Sequence, residues 1–86
     1  MNPARILVVD DEPGIRKSLC GVLKDEGYLP SAVATGEECL EQLPGGYELV
    51  LLDIWLTGMD GMEVLARIQE IPFAERPVVV MISGHG

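Results

Sequence analysis

Apolar positions along this chain alternate between a strand period and a helix period. Arg5 to Asp10 is an almost unbroken aliphatic run, Ile6-Leu7-Val8-Val9, which predicts a strand covered on both faces. Between residues 13 and 26 the apolar positions Ile15, Leu19, Val22 and Leu23 fall on one helical stripe. Pro13 suits the first turn of that helix and Gly27 offers a left-handed stop. Leu29 to Ala34 predicts a second, weaker strand. Pro30 within it has no N–H to give a ladder, so this strand belongs at a sheet edge. Thr35 with Glu38 forms a capping box for a short helix carrying Cys39, Leu40 and Leu43, closed by Pro44-Gly45-Gly46. A third strand is expected from Glu48 to Asp53. Asp60 with Glu63 repeats the capping pattern before a helix whose apolar side is Met62, Val64, Leu65 and Ile68. Pro72 and Pro77 bracket its exit, and Pro77 to Ser83 predicts a fourth aliphatic strand.

Strand–helix alternation of this kind implies right-handed crossovers and a parallel sheet, an α/β fold. Parallel strands end on the same side, so Asp10-Asp11, Asp53 and Ser83 should meet at one sheet edge. Carboxylates crowded together need a cation, and one of them can become a nucleophile.

Eighty-six residues with 48% hydrophobic content supply a core for one domain, or a piece of one. Six basic against fourteen acidic residues give a net charge of −8, which opposes direct contact with nucleic acid or an anionic membrane. Cys20 and Cys39 lack CxxC spacing and sit in helical stretches, which favours reduced packing residues over a disulfide or zinc site. No secretion signal and no run of membrane-spanning length is present, and a cytoplasmic location is expected.

The residues now in hand resemble the receiver domain of bacterial two-component response regulators. The resemblance rests on Asp10-Asp11 after strand one, on Asp53 followed by Ile54-Trp55-Leu56-Thr57-Gly58-Met59-Asp60-Gly61, and on Ser83 after strand four. The ending Ile82-Ser83-Gly84-His85-Gly86 is most similar to receivers of enhancer-binding activators of the nitrogen-regulation type. The resemblance implies a flavodoxin-like (CheY-like), doubly wound sheet of order 2-1-3-4-5, whose ligand site lies at the carboxyl ends of strands one and three. It covers residues 1–86 as an incomplete receiver, without helix four, strand five and helix five.

The resemblance implies phosphoryl transfer from a histidine kinase onto Asp53, with Mg²⁺ held by Asp10, Asp11, Asp53 and the backbone carbonyl of Trp55. Ser83 would be the switch hydroxyl that reports the phosphoryl group to an output domain beyond residue 86, DNA-binding or ATPase, in transcription regulation. Thr57 and His85 stand where they would modulate the reaction. Thr57 replaces the proline common at that place, and its loop loses a fixed φ. The lysine expected after strand five has no counterpart: the chain's two lysines, Lys17 and Lys24, lie on the first helix. Strand four, with Val78, Val79, Val80 and Ile82, would be an exposed apolar edge, so self-association is expected.

Blander readings compete with each residue alone. Asp10-Asp11 could equally be a turn and a helix cap, Asp53 a plain strand end, Ser83 a loop residue and His85 a solvated one. Their coincidence at one edge favours the functional reading. The alternative function is a receiver-fold interaction scaffold that takes no phosphoryl group. A haloacid-dehalogenase-like hydrolase needs a second carboxylate two residues after the nucleophile, where this chain has Trp55. A dinucleotide-binding fold needs GxGxxG after strand one, which is missing.

Overall fold

Strands apolar at nearly every position have no face to offer water, so they must sit inside a sheet covered on both sides. The computed structural model describes residues 2–82 and places such strands at its centre. The elements in chain order are β1 (Arg5–Val9), α1 (Pro13–Asp25), β2 (Leu29–Val33), α2 (Gly36–Gln42), β3 (Leu49–Asp53), α3 (Gly61–Ile68) and β4 (Val78–Ile82). All pairings are parallel and the spatial order is β2-β1-β3-β4. These are the first four places of the flavodoxin-like order, with Pro30 on the edge strand as its missing N–H requires.

The chain moves one way from β1 to β2, then reverses from β2 to β3. Right-handed crossovers therefore put α1 on one face and α2 with α3 on the other. On the second face Leu7 and Val9 of β1, and Val50 and Leu52 of β3, are fully buried with Cys39, Val64 and Ile68. On the first face Ile6 and Val8 are buried, but no residue of α1 is, and Val78 and Val80 stay 64% and 44% exposed. Two positions expected in helical stripes are mostly exposed, Val22 at 60% and Met62 at 59%. Both belong to the flank of their stripe.

Helix ends follow the local chemistry. Gly27 adopts φ +92° and closes α1, with its N–H on the Lys24 carbonyl at 3.0 Å and the Tyr28 N–H on the Leu23 carbonyl at 3.0 Å. Thr35 Oγ1 accepts from the Glu38 N–H at 3.1 Å, while the Glu38 carboxylate accepts from Ala34 N–H and Thr35 Oγ1–H. Asp60 Oδ1 likewise accepts from the Glu63 N–H at 2.9 Å. Helix α2 stops at Gln42, and Leu43–Gly45 continues as a 3-10 turn because the Pro44 ring cannot sit inside an α-helix.

Candidate metal centre

Strand register alone brings two carboxylates together. Ile6 pairs with Leu49 and Val8 with Leu51, and side chains two apart share a face. Asp10 and Asp53 continue those rows just past and at the strand ends, so they stand side by side on the α1 face. Both are fully buried. The Asp10 N–H still donates to the Val33 carbonyl of β2 at 3.2 Å, and the Ile54 N–H donates to Ile82 of β4 at 2.9 Å. The ladder therefore holds both backbones where the loops begin.

Each buried carboxylate is also tied to its own loop in the same way. Asp10 Oδ1 accepts from the Glu12 N–H at 2.9 Å, and Asp53 Oδ1 accepts from the Trp55 N–H at 3.0 Å. These are two Asx-turns, each closed by the N–H two residues on, that hold the side chains at the strand ends. Arg16 of α1 donates from Nη1 to the Asp10 carbonyl at 2.8 Å, fixing the β1–α1 loop from outside. Gly61, the first residue of α3, is packed so tightly on the end of β3 that a Cβ there would lie 2.5 Å from the Asp53 carbonyl oxygen.

Asp11 is half-buried in the β1–α1 loop. One carboxylate oxygen each from Asp10, Asp11 and Asp53 all lie within 4.8 Å of one another. Three carboxylates so close, two of them buried, favour a bound cation. The donors are hard oxygens without a cysteine or histidine among them, which fits Mg²⁺ and argues against zinc. Trp55 lies in the same loop with its side chain 61% exposed, and its N–H donates to Asp53 Oδ1. Thr57 Oγ1–H donates to Asp11 Oδ2 at 2.8 Å. Ser83 and His85 lie outside the described residues.

Three contributors were not singled out from sequence: Arg16, Gly61 and the Thr57–Asp11 bond. The Asx-turns had a legible signal, an aspartate at a strand end followed by a turn. A cavity of about 830 Å³ lies elsewhere, lined by Leu43, Tyr47, Arg67, Ile71 and Pro77 at the entry ends of β3 and β4. It contains none of the carboxylates.

Comparison with known proteins agrees with this arrangement. The family described as "Response regulator receiver domain" matches residues 6–86. The nitrogen assimilation regulatory protein NtrX of Azorhizobium caulinodans is 42% identical over 88 residues, covering 94% of this chain and 18% of that protein. The response regulator TrrA of Thermotoga maritima, solved in complex with Mg²⁺–BeF, is 40% identical over 95% of this chain and 72% of its own, with a TM-score of 0.81. TrrA in complex with the histidine kinase ThkA matches at 38% identity over 96% of this chain and 71% of the solved one, with a TM-score of 0.85. This chain thus spans less than a fifth of the curated regulator and under three quarters of the solved receiver.

Proposed function

This chain belongs to the response regulator receiver family, and from that premise we propose that Asp53 accepts a phosphoryl group from a phosphohistidine of a histidine kinase, with Mg²⁺ held by Asp10, Asp11, Asp53 and the backbone carbonyl of Trp55. The observation that carries this reading is the convergence of those three carboxylates within 4.8 Å at the carboxyl ends of β1 and β3. An Asp53 carboxylate oxygen attacks phosphorus, the new O–P bond forms as the N–P bond breaks, and the electron pair stays on the imidazole nitrogen, which takes a proton from solvent. A bound Mg²⁺ supplies the positive charge that lets an anionic carboxylate approach an anionic donor. The Trp55 N–H on Oδ1 fixes the orientation of the Asp53 carboxylate, and Asp10 is fixed by the Glu12 N–H.

The solved relative that holds Mg²⁺–BeF, and the one bound to a histidine kinase, support the choice of cation and donor. Relatives whose names read "Transcriptional regulatory protein" support an output in transcription regulation, and we assign that output to a DNA-binding or ATPase segment outside these 86 residues, with Ser83 as the reporting hydroxyl. On this reading the chain acts in the cytoplasm. The uncharged outer edge of β4, unpaired among the described residues, favours contact with a second copy of the chain. His85 and Thr57 are assigned modulating roles.

Intact mass spectrometry after incubation with a small phosphodonor and Mg²⁺ tests the central claim. One phosphoryl group is expected on the chain, abolished by chelation and by Asp53→Ala. Modification that persists in Asp53→Ala would move the acceptor elsewhere. The placement of Lys17 and Lys24 on α1 favours a second reading, an interaction scaffold that is not phosphorylated. Mg²⁺-dependent phosphoryl gain at Asp53 rules that out.

A further inference from the structure

Two of the three carboxylates owe their places to the sheet; the third does not. Asp10 and Asp53 are buried, follow the β1–β3 register and are locked by Asx-turns. Asp11 has left the ladder, is only half-buried and precedes the first turn of α1. Among the described residues, the hydrogen bond that reaches its carboxylate comes from Thr57, at 2.8 Å to Oδ2, from a position 46 residues away in sequence. Thr57 lies four residues after Asp53, in the β3–α3 loop. Its hydroxyl therefore joins the two loops that follow β1 and β3, beside all three carboxylates.

We propose that Thr57 is a positioning residue for the cation site: its hydroxyl holds the Asp11 carboxylate facing Asp10 and Asp53, and so sets the affinity of this chain for Mg²⁺. The inference rests on the receiver reading and adds a determinant of its metal affinity. A carboxylate that accepts a hydrogen bond on one oxygen still offers the other to a cation, and the bond removes rotamers in which it would face solvent. A proline at this place would fix the loop's φ but could not donate to Asp11. The hydroxyl is thus a device of this sequence, in which a side chain does across the two loops what a ring would do within one.

The test is a Mg²⁺ titration followed by the fluorescence of Trp55, the chain's one tryptophan, and independently by calorimetry. Wild type, Asp53→Asn, Thr57→Val and Thr57→Ser are compared. Thr57→Val keeps shape and removes the donor, and Kd for Mg²⁺ should rise on the order of 10-fold, as loss of partners that orient metal ligands typically does. Thr57→Ser keeps the donor and should stay within about 2-fold of wild type. In an Asp11→Ala background Thr57→Val should add nothing, because the group it positions is gone. Melting in the absence of Mg²⁺ should be the same for Thr57→Val and wild type.

An unchanged or tighter Kd in Thr57→Val overturns the proposal and leaves the receiver reading intact. So does a Thr57→Ser variant as weak as Thr57→Val, or an undiminished effect of Thr57→Val in the Asp11→Ala background, because the hydroxyl–carboxylate bond would then not be the cause. A wild type with no saturable response in either measurement, matching Asp53→Asn, removes the cation site itself and the proposal with it.

Discussion

The two faces of this sheet are built from the same strands and have different fates. Leu51 and Leu52 are neighbours in β3, yet Leu52 is fully buried beneath α2 and α3 while Leu51, on the α1 face, is half-buried. The covered face has two short helices with side-chain caps at Thr35 and Asp60; the open face has one longer helix that starts at Glu12 without a side-chain cap and buries none of its residues. Aliphatic composition therefore marks where burial is possible, and helix placement decides where it happens. The carboxylates lie on the open face, but at its end, where the two loops rather than a helix close around them.

Paired truncations separate the faces most sharply. Leu52→Ala should cost about 2–5 kcal/mol, enough to unfold a chain this small, because the cavity it leaves is enclosed. Leu51→Ala should cost about 1 kcal/mol or less, since water already reaches the site. Equal losses in thermal or urea unfolding would mean that the faces are equally packed.

Gly61→Ala should follow, at about 1–3 kcal/mol, because the new methyl meets the Asp53 carbonyl and either α3 or the end of β3 must move. Its signature is a weakened Mg²⁺ response along with the lower melting point. A melting change with no effect on Mg²⁺ would mean that α3 yields and the site does not. The caps come next: Asp60→Ala should cost about 1 kcal/mol through loss of the Glu63 N–H bond, whereas Glu12→Ala should change little beyond propensity.

Val80→Lys on the open face should shift folding stability by about 0.5 kcal/mol or less. Its readout is assembly: sedimentation should show fewer self-associated species than wild type, and an unchanged distribution would remove β4 as the contact. The cysteines give a chemical version of the same comparison. Burial pushes the Cys39 thiol up from 9.0 to about 11, so near neutral pH its thiolate is scarcer than an ordinary cysteine's by roughly 100-fold. The neutral form is the one the fold holds, and this contribution is full below pH 9 and lost as pH rises through about 11. A thiol reagent at pH 8 should modify half-buried Cys20 on α1 well before Cys39.

Much of this was legible in the chain. The seven elements, the edge place of β2, the Gly27 stop and both caps were readable because each depends on near neighbours in sequence, on a missing N–H, an absent Cβ or a side chain three residues from its partner. The site was legible in part: Asp10, Asp11 and Asp53 announce themselves as polar residues at the ends of apolar runs. Val22 and Met62, read as members of apolar stripes, are mostly exposed, since periodicity tells which side of a helix is apolar but not how far the neighbouring element reaches.

What the sequence determined by itself is therefore the set of local structures and the acidic strand ends, because hydrophobic period, proline, glycine and capping side chains act over a few residues. Only the tertiary structure decided which of two adjacent leucines is buried, that Gly61 must be bare where α3 meets β3, and that Thr57 reaches Asp11 from 46 positions away. Those outcomes depend on the relative placement of elements distant in sequence. Crossover handedness and strand register set that placement, and no local stretch of residues encodes it.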